Sequence, residues 1–326
     1  MSRYAIGTDI GGTNIKLVLI DEFGMIHFEE LYPTPQGMDP EEITTGIISA
    51  VHEFKVQVSK ARLEVEGIGF TVPHFFEGAN WTQRHSNNMP ALENFDLRPR
   101  LATEFGESIA LINDLSAAAI AEHMYGKGRG YDRLLLIALG TGVSTAFINE
   151  HGLVDYNYGS SGDTGQIIVD PNGLEECTCG AHGCLEAMVS AQAIRKRALR
   201  EARSGKKTIL AEILQHKGDI TAQDVSEAAH SGDGIAQDIL RQVGHFLGVG
   251  LVSLMHIFRP SLIVIGGGVS QAGDLLLESA RVTMNRLASP WYMERLKGIE
   301  ITALGINGGA IGCASLILYP GLYLRS

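Results

Sequence analysis

Short apolar runs separated by glycine turns open the chain. Residues 4–9 (YAIGTD) read as a buried strand, Gly11-Gly12-Thr13 as a tight turn and residues 16–20 as a second apolar strand, so the first twenty residues predict a β-hairpin. A turn over 21–25 (DEFGM) leads to a third strand over 26–32 and a loop over 33–39. From residue 41 to about 54 the period changes, with Ile43, Ile47, Ile48 and Val51 at helical spacing. Residues 67–70 predict a short strand that enters a long polar loop over 73–90, a length that in a compact domain usually carries function.

Another strand over 108–112 ends in Asn113-Asp114, followed by an alanine-rich helix over 117–123 that Gly126 and Gly128 close. Residues 134–139 form a strong apolar strand that runs into Gly140-Thr141-Gly142 and a further strand over 143–148. The stretch IGTDIGGTNIKLVLID (6–21) is echoed by LIALGTGVSTAFINE (136–150), about 130 residues later. Repeats of this kind shape a fold, and two such hairpins predict two similar halves facing each other.

The second half is mainly helical: 191–203, 210–214, 222–229 and 235–258. In the last of these Leu240, Val243, Phe246, Leu247, Gly250, Leu251 and Leu254 make a broad apolar stripe, as a core helix requires. A buried strand over 262–265 ends in Gly266-Gly267-Gly268, and a helix (275–287), a strand (300–303) and a small-residue helix (308–318) complete the chain. Alternating strands and helices predict an α/β class with mixed sheets.

Composition narrows the functions. The 326 residues include 26 Lys and Arg against 37 Asp and Glu, a net charge of −11 that argues against a protein built to bind a phosphate backbone. With 45% hydrophobic residues the chain can bury a sizeable core. The sequence holds no run of about 20 apolar residues and starts without a secretory signal, so the expectation is a cytoplasmic protein with neither membrane nor nucleic-acid partner. Of four cysteines, Cys177, Cys179 and Cys184 fall within eight residues, which suits a metal site better than a disulfide framework.

Several residues carry chemistry. In Asp9-Ile10-Gly11-Gly12-Thr13-Asn14 the glycines allow backbone N–H groups to approach phosphate oxygens, the threonine adds a donor, and Asp9 makes sense beside Mg²⁺ or its waters. A plain hairpin turn is the competing reading, and the partner turn Gly140-Thr141-Gly142 weakens it. Neither turn has the Gly-Lys-Ser/Thr of a P-loop. Gly266, Gly267 and Gly268 suit either a nucleoside lying on the backbone or an ordinary strand-to-helix turn. Asp114, where a strand gives way to a helix, should stay ionised in the helix dipole and accept a hydroxyl proton during phosphoryl transfer. Position alone favours the plainer role of an N-cap, worth about 1 kcal/mol. Three thiols spaced as in Cys177-x-Cys179-x4-Cys184 suit tetrahedral Zn²⁺ with one further ligand, for which His182 inside the loop is a candidate; three unliganded cysteines are the alternative. Asp163, Glu186, Asn88, Asn113 and Asp114 together have the planar acceptors and amides that pair with sugar hydroxyls.

These pieces, in order Asp9-Ile-Gly-Gly-Thr13, Asn88-Met-Pro90, Asn113-Asp114, Leu139-Gly-Thr-Gly142, the cysteine segment ending Cys184-Leu-Glu-Ala187, and 260–269 (PSLIVIGGGV), resemble the ROK family of sugar kinases and repressors over nearly the whole chain. The resemblance implies a two-lobed actin-like ATPase (ribonuclease H-like) α/β fold with a nucleotide and sugar cleft between lobes. It implies a small N-terminal α/β domain over 1–118, joined by the C-terminal helix (about 308–326), and a large α/β domain over 119–307 with a cysteine-rich zinc loop. Asp114 would then be the general base for the 6-hydroxyl of a hexose in a glucokinase-like transfer of the ATP γ-phosphoryl group. Asn88, Asn113 and Glu186 would bind the sugar, with Asp163 and Gln166 beside them. Asp9, Gly11, Gly12, Thr13, Lys16, Gly140, Thr141 and Gly142 would serve ATP and its Mg²⁺, and Gly266, Gly267 and Gly268 the adenosine. Family members are commonly dimers or tetramers, so a homo-oligomer is implied.

Two departures matter. The family usually has Glu-x-Gly-His before the cysteine loop, with the histidine touching sugar and binding zinc; here the segment is Asp163-Thr164-Gly165-Gln166. A shorter carboxylate and a poor zinc ligand leave open which sugar binds and what completes the metal site. A kinase for another sugar or polyol (an amino sugar, N-acetylmannosamine, fructose or a cyclitol) and a non-catalytic sugar sensor are the alternatives. Repressor members carry a DNA-binding module ahead of the kinase-like part, and with a first strand at residue 4 the expectation is a chain without one.

Overall fold

The computed structural model describes residues 2–37, 39–72, 75–77, 82–85, 89–106, 108–154 and 163–323. The chain divides into two compact units, one from Met1–Leu134, Ala146–Ser161 and Thr302–Ser326, the other from Leu135–Thr145 and Gly162–Ile301. Among the described residues no helix is long and apolar enough to cross a membrane.

In chain order the first unit opens with β1 (Tyr4–Ile10), β2 (Asn14–Asp21), β3 (Ile26–Pro33), α1 (Pro40–Ser59), β4 (Val65–Val72), β5 (Phe75–Glu77), β6 (Thr82–His85), α2 (Leu97–Phe105), β7 (Ile109–Asn113) and α3 (Asp114–Tyr125). Five strands form a sheet in the order β3-β2-β1-β4-β7. β1 and β2 are antiparallel, with Asp9 opposite Lys16, and β1 runs parallel to β4, with Asp9 opposite Thr71. Strand alternation sends Ile6, Ile10, Leu17 and Phe70 into one core with Ile43, Ile47, Val51 and Phe54 of α1. α1 starts where its sequence directs, with the Asp39 carboxylate accepting the Glu41 N–H and Pro40 in the first turn.

The chain continues through β8 (Leu134–Leu139), β9 (Val143–Asn149), β10 (Gly152–Leu153), α4 (Leu185–Val189), α5 (Ala191–Ala202), α6 (Ile209–Lys217), α7 (Ala222–His230), α8 (Gly234–Phe258), β11 (Leu262–Gly266), α9 (Asp274–Leu287), α10 (Pro290–Met293), β12 (Gly298–Ile301) and α11 (Gly308–Leu318). The second sheet has the order β10-β9-β8-β11-β12. Counting strands within each sheet, both orders read third, second, first, fourth, fifth. The echoed hairpins are therefore the first two strands of two sheets with one topology. Most of the expected α8 stripe is buried, including Leu240, Val243, Leu247, Leu251 and Leu254, while Phe246 is half-buried.

α11 belongs to the first unit and covers the other face of its sheet, where Ala5, Val18 and Ile20 meet Ala310, Ile311, Ala314 and Leu318. The small residues of α11 are a packing requirement. A Cβ on Gly7 would lie 1.9 Å from the Ala310 carbonyl oxygen, and one on Gly312 1.8 Å from that of Ala117. The return of the chain into this unit is fixed by buried Glu122 of α3. Its carboxylate accepts the N–H groups of Ala303 (2.9 Å), Leu304 (3.1 Å) and Lys127 (2.9 Å), and the Thr302 hydroxyl.

Three expectations change. The boundary after residue 118 falls inside α3, and the unit runs on to Leu134 because α3 packs along α11. α3 begins at Asp114, three residues before the expected 117. The predicted loop over 73–90 contains an antiparallel pair, β5 and β6, with Glu77 opposite Thr82. Phenylalanine and threonine there are residue types that fit a pleated strand.

Candidate functional site

In the first unit two carboxylates, Asp9 and Asp114, are the candidates for chemistry. Asn113 is the N-cap of α3, its side-chain oxygen accepting the Leu115 N–H at 3.0 Å and the Ser116 N–H at 3.3 Å. Asp114 is therefore the first helical residue and not the cap, which removes the plainer role that its position suggested. Its Oδ1 also accepts the Leu115 N–H at 2.8 Å. Desolvation, then the charge of Asp9, raises the Asp114 carboxyl from 3.8 to about 6. The helix terminus favours the charged form, but burial and a like charge outweigh it and raise the value. At neutral pH the group is still mainly ionised, with the basicity a proton acceptor needs.

Asp9 lies opposite Thr71 in the sheet, and the Thr71 hydroxyl donates to its Oδ1. Burial pushes the Asp9 carboxyl up, against the pull of that hydrogen bond and of the Lys16 ammonium. The N-terminal turn of α11 closes on it, since a Cβ on Gly309 would lie 3.0 Å from the Asp9 carboxyl. Lys16 is nearly buried, and its Nζ donates to Asn307 Oδ1 at 2.7 Å and the Ile306 carbonyl at 3.3 Å. Its charge thus stands beside Asp9 while its protons are directed to the residues preceding α11.

The first glycine turn is oriented by a neighbour that sequence reading did not single out. Gly11 and Thr13 carbonyls accept the Thr34 hydroxyl (2.6 Å) and N–H (2.9 Å), and the Gly12 carbonyl accepts the Gln36 amide (3.0 Å). In a trans peptide the next N–H points opposite to the carbonyl. The N–H groups of Gly12, Thr13 and Asn14 therefore face away from Thr34 and Gln36, as an anion cradle requires.

In the second unit the turn at Gly140-Thr141-Gly142 is also held by neighbours, which leaves the Thr141 N–H opposite the bound Gly140 carbonyl. The Gly140 carbonyl accepts the Ala191 N–H at 2.8 Å, and the Gly140 N–H donates to the Gly142 carbonyl at 2.9 Å. Glu186 Oε2 accepts the Val143 N–H at 3.0 Å, and Glu186 Oε1 accepts the Thr178 hydroxyl at 2.6 Å. At Gly267 a positive φ of 83° and a hypothetical Cβ 2.3 Å from the Leu139 carbonyl oxygen both demand glycine. This places the triple glycine against the end of β8, beside the second turn. A cavity of about 390 Å³ opens next to it, lined by Gly268, Val269, Gln271 and Ala272 and by Gln223 and Ser226 of α7.

The cysteine loop converges as its spacing suggests. Ligand atoms of Cys177, Cys179 and Cys184 lie within 4.8 Å of one another, and the Cys179 and Cys184 sulfurs are 3.7 Å apart. Tetrahedral zinc with Zn–S near 2.3 Å separates its sulfurs by about 3.8 Å, so the three thiols fit the ion. His182 does not join them among the described residues: it is exposed, on the return of the loop opposite Glu176. The expectation that it completes the site is not met. Asp163 and Gln166 are exposed at the two ends of a short turn, whose Gly165 backbone lies against β9, a Cβ there falling 2.3 Å from the Val143 carbonyl oxygen. Asn88 lies outside the described residues. Thr34, Gln36, Thr71, Thr178 and Glu122 are the polar residues that sequence reading missed. Thr34, Gln36, Thr71 and Glu122 act through partners more than twenty residues away, whereas Thr178, between two of the cysteines, reaches Glu186 eight positions on and was the one with a local signal.

The ROK family profile matches residues 5–319. A glucokinase of Halalkalibacterium halodurans is 32% identical over 315 residues, covering 97% of this chain and 95% of that protein. The xylose repressor of Bacillus subtilis is 24% identical over 326 residues, covering 97% of this chain and 77% of the repressor. Among solved structures, a ROK family glucokinase from Streptomyces griseus in complex with glucose and AMPPNP is 30% identical, with a TM-score of 0.77 over 96% of this chain and 98% of that one.

Proposed function

The chain belongs to the ROK family, and from that premise we propose that it is an ATP-dependent, glucokinase-like hexose kinase that transfers the γ-phosphoryl group to the sugar 6-hydroxyl. The observation that carries the catalytic assignment is Asp114: a desolvated carboxylate, released from capping by Asn113 and raised to about 6. It takes the hydroxyl proton as the sugar oxygen attacks phosphorus in line with the leaving ADP oxygen. The N–H groups of Gly12, Thr13 and Asn14 at the first turn, with that of Thr141 at the second, hold the triphosphate oxygens and their developing charge. The cavity beside Gly266, Gly267 and Gly268 seats the adenosine, with the Gln223, Ser226 and Gln271 side chains as its polar partners.

Asn88, Asn113, Asp163, Gln166 and Glu186 bind sugar hydroxyls. Mg²⁺, when bound, would neutralise phosphate charge, and Asp9 is the carboxylate suited to it or its waters, because Mg²⁺ takes one or two carboxylates plus phosphate oxygens. Zn²⁺ on Cys177, Cys179 and Cys184 would order their loop. The protein works in the cytoplasm, where thiols stay reduced, as a homo-oligomer and without a nucleic-acid partner, in keeping with its acidic charge.

A second reading, a kinase for another sugar or polyol, is favoured by one feature: Asp163 and Gln166 stand where the family pattern has Glu and His. Release of ADP measured over a panel of sugars separates the two. Glucose is expected to give the highest kcat/KM. A larger value for N-acetylmannosamine, fructose or a cyclitol replaces the glucose assignment, and sugar binding without ADP release from any of them rejects the kinase.

A further inference from the structure

The segment that carries the cysteines also grips the second glycine turn, at two separate points. Cys184 is the N-cap of α4, a helix of five residues. From the first turn of α4, Glu186 Oε2 accepts the Val143 N–H at 3.0 Å, just past Gly142. Beyond the other end of α4, the Ala191 N–H donates to the Gly140 carbonyl at 2.8 Å. The two anchors flank Gly140-Thr141-Gly142. Space at the turn is tight, for a Cβ on Gly142 would lie 2.7 Å from Glu186 Oε2.

The same carboxylate is tied to the cysteine loop. Its Oε1 accepts the Thr178 hydroxyl at 2.6 Å; the Cys177 sulfur, 3.9 Å away, donates to it as a thiol but would give up that proton to a metal, so Thr178 is the tie that persists in a loaded site. One side chain therefore links Thr178, whose two flanking cysteines the site would order, to the N–H that ends the turn. We propose that Thr178 and Glu186 are positioning residues that couple occupancy of the cysteine site to the geometry of the Gly140-Thr141-Gly142 turn, and through it to nucleotide affinity. The inference rests on the reading of that turn as a phosphate cradle.

The physical basis is the weakness of each part alone. A five-residue helix has too few internal hydrogen bonds to hold its own geometry. Thr178 is exposed, so water competes for its hydroxyl unless its flanking cysteines are fixed. Drawing Cys177, Cys179 and Cys184 onto one ion fixes both sides of Thr178 and the start of α4 together. The Glu186 carboxylate then keeps one orientation, and so does the Val143 N–H bound to it.

The test is calorimetric titration of a non-hydrolysable ATP analogue with Mg²⁺ into three proteins with zinc content measured: wild type as purified, wild type after chelation, and Thr178→Val. Chelated protein is expected to bind the analogue about tenfold more weakly. Thr178→Val, retaining wild-type zinc and melting temperature, should bind it about three- to tenfold more weakly, the range that loss of one ordinary, water-accessible hydrogen bond implies. Thr178→Ser should restore the affinity. Should chelation unfold the protein, the Thr178→Val comparison decides alone. Affinity within twofold of wild type in zinc-loaded Thr178→Val overturns the coupling, as does full affinity in protein without metal on its cysteines. Failure of zinc-loaded wild type to bind the analogue at all rejects the phosphate-turn reading itself, and this inference with it.

Discussion

Replacing Asp114 by asparagine should stabilise the fold while removing catalysis. Asparagine keeps the acceptor that bonds the Leu115 N–H but carries no charge. The charge is costly where it sits, because desolvation and the like charge of Asp9 raise the carboxyl from 3.8 to about 6. That interval corresponds to about 3 kcal/mol at 1.36 kcal/mol per pH decade. Asp114 keeps some contact with solvent, so the gain on substitution is expected at about 1–3 kcal/mol, a rise in melting temperature of about 2–8 °C. The pH dependence is specific. Between about 6 and 3.8 the folded wild type takes up a proton that the unfolded chain does not, so its stability rises as pH falls through that window. The advantage of Asp114→Asn is therefore full at pH 7, about half as large at pH 5 and absent below 3.8. Thermal denaturation of both proteins at pH 7 and pH 5 measures it, with ADP release alongside. Turnover should fall by about 10²–10⁴, and wild-type kcat/KM should decline on the acid side near 6. A variant that melts below wild type at pH 7, or whose advantage is equal at both pH values, refutes the electrostatic account. Undiminished turnover refutes the assigned base.

Two further substitutions test the scaffold around this site. Thr8 is fully buried in β1, and its hydroxyl is the one buried side-chain N or O atom without a hydrogen-bond partner among the described residues; Thr8→Val should therefore stabilise by about 1 kcal/mol in urea denaturation, and a loss of that size would reveal a partner for the hydroxyl. Gly312→Ala would bring a methyl group to 1.8 Å from the Ala117 carbonyl oxygen, so it should cost about 3 kcal/mol by the same measurement, and a variant as stable as wild type would show that α11 does not lie directly on α3.

Much of the site was legible along the chain, for reasons that stay within a few residues. The hairpin turns at Gly11-Gly12 and Gly140-Thr141-Gly142 follow from strand period and glycine, and the echo between 6–21 and 136–150 pointed to two sheets that share one strand order. Asn113-Asp114 announced a strand-to-helix junction, and the spacing of Cys177, Cys179 and Cys184 announced sulfurs that converge. Which member of a local pair does what was less legible. Only backbone dihedrals and hydrogen bonds show that Asn113 caps and Asp114 does not, because either side chain can fill the role.

The sequence by itself determined the elements, the repeat and the residue types available for chemistry, since each depends on periodicity or on backbone freedom at a single position. Tertiary structure decided the partnerships. Thr71 reaches Asp9 across 62 residues because parallel strands happen to align there, Glu186 reaches Val143 across 43, and His182, five positions from Cys177, stays out of the cysteine cluster. It also decided the acidity of Asp114, for desolvation and the nearby charge of Asp9 arise only when distant strands and helices exclude water from the same small volume.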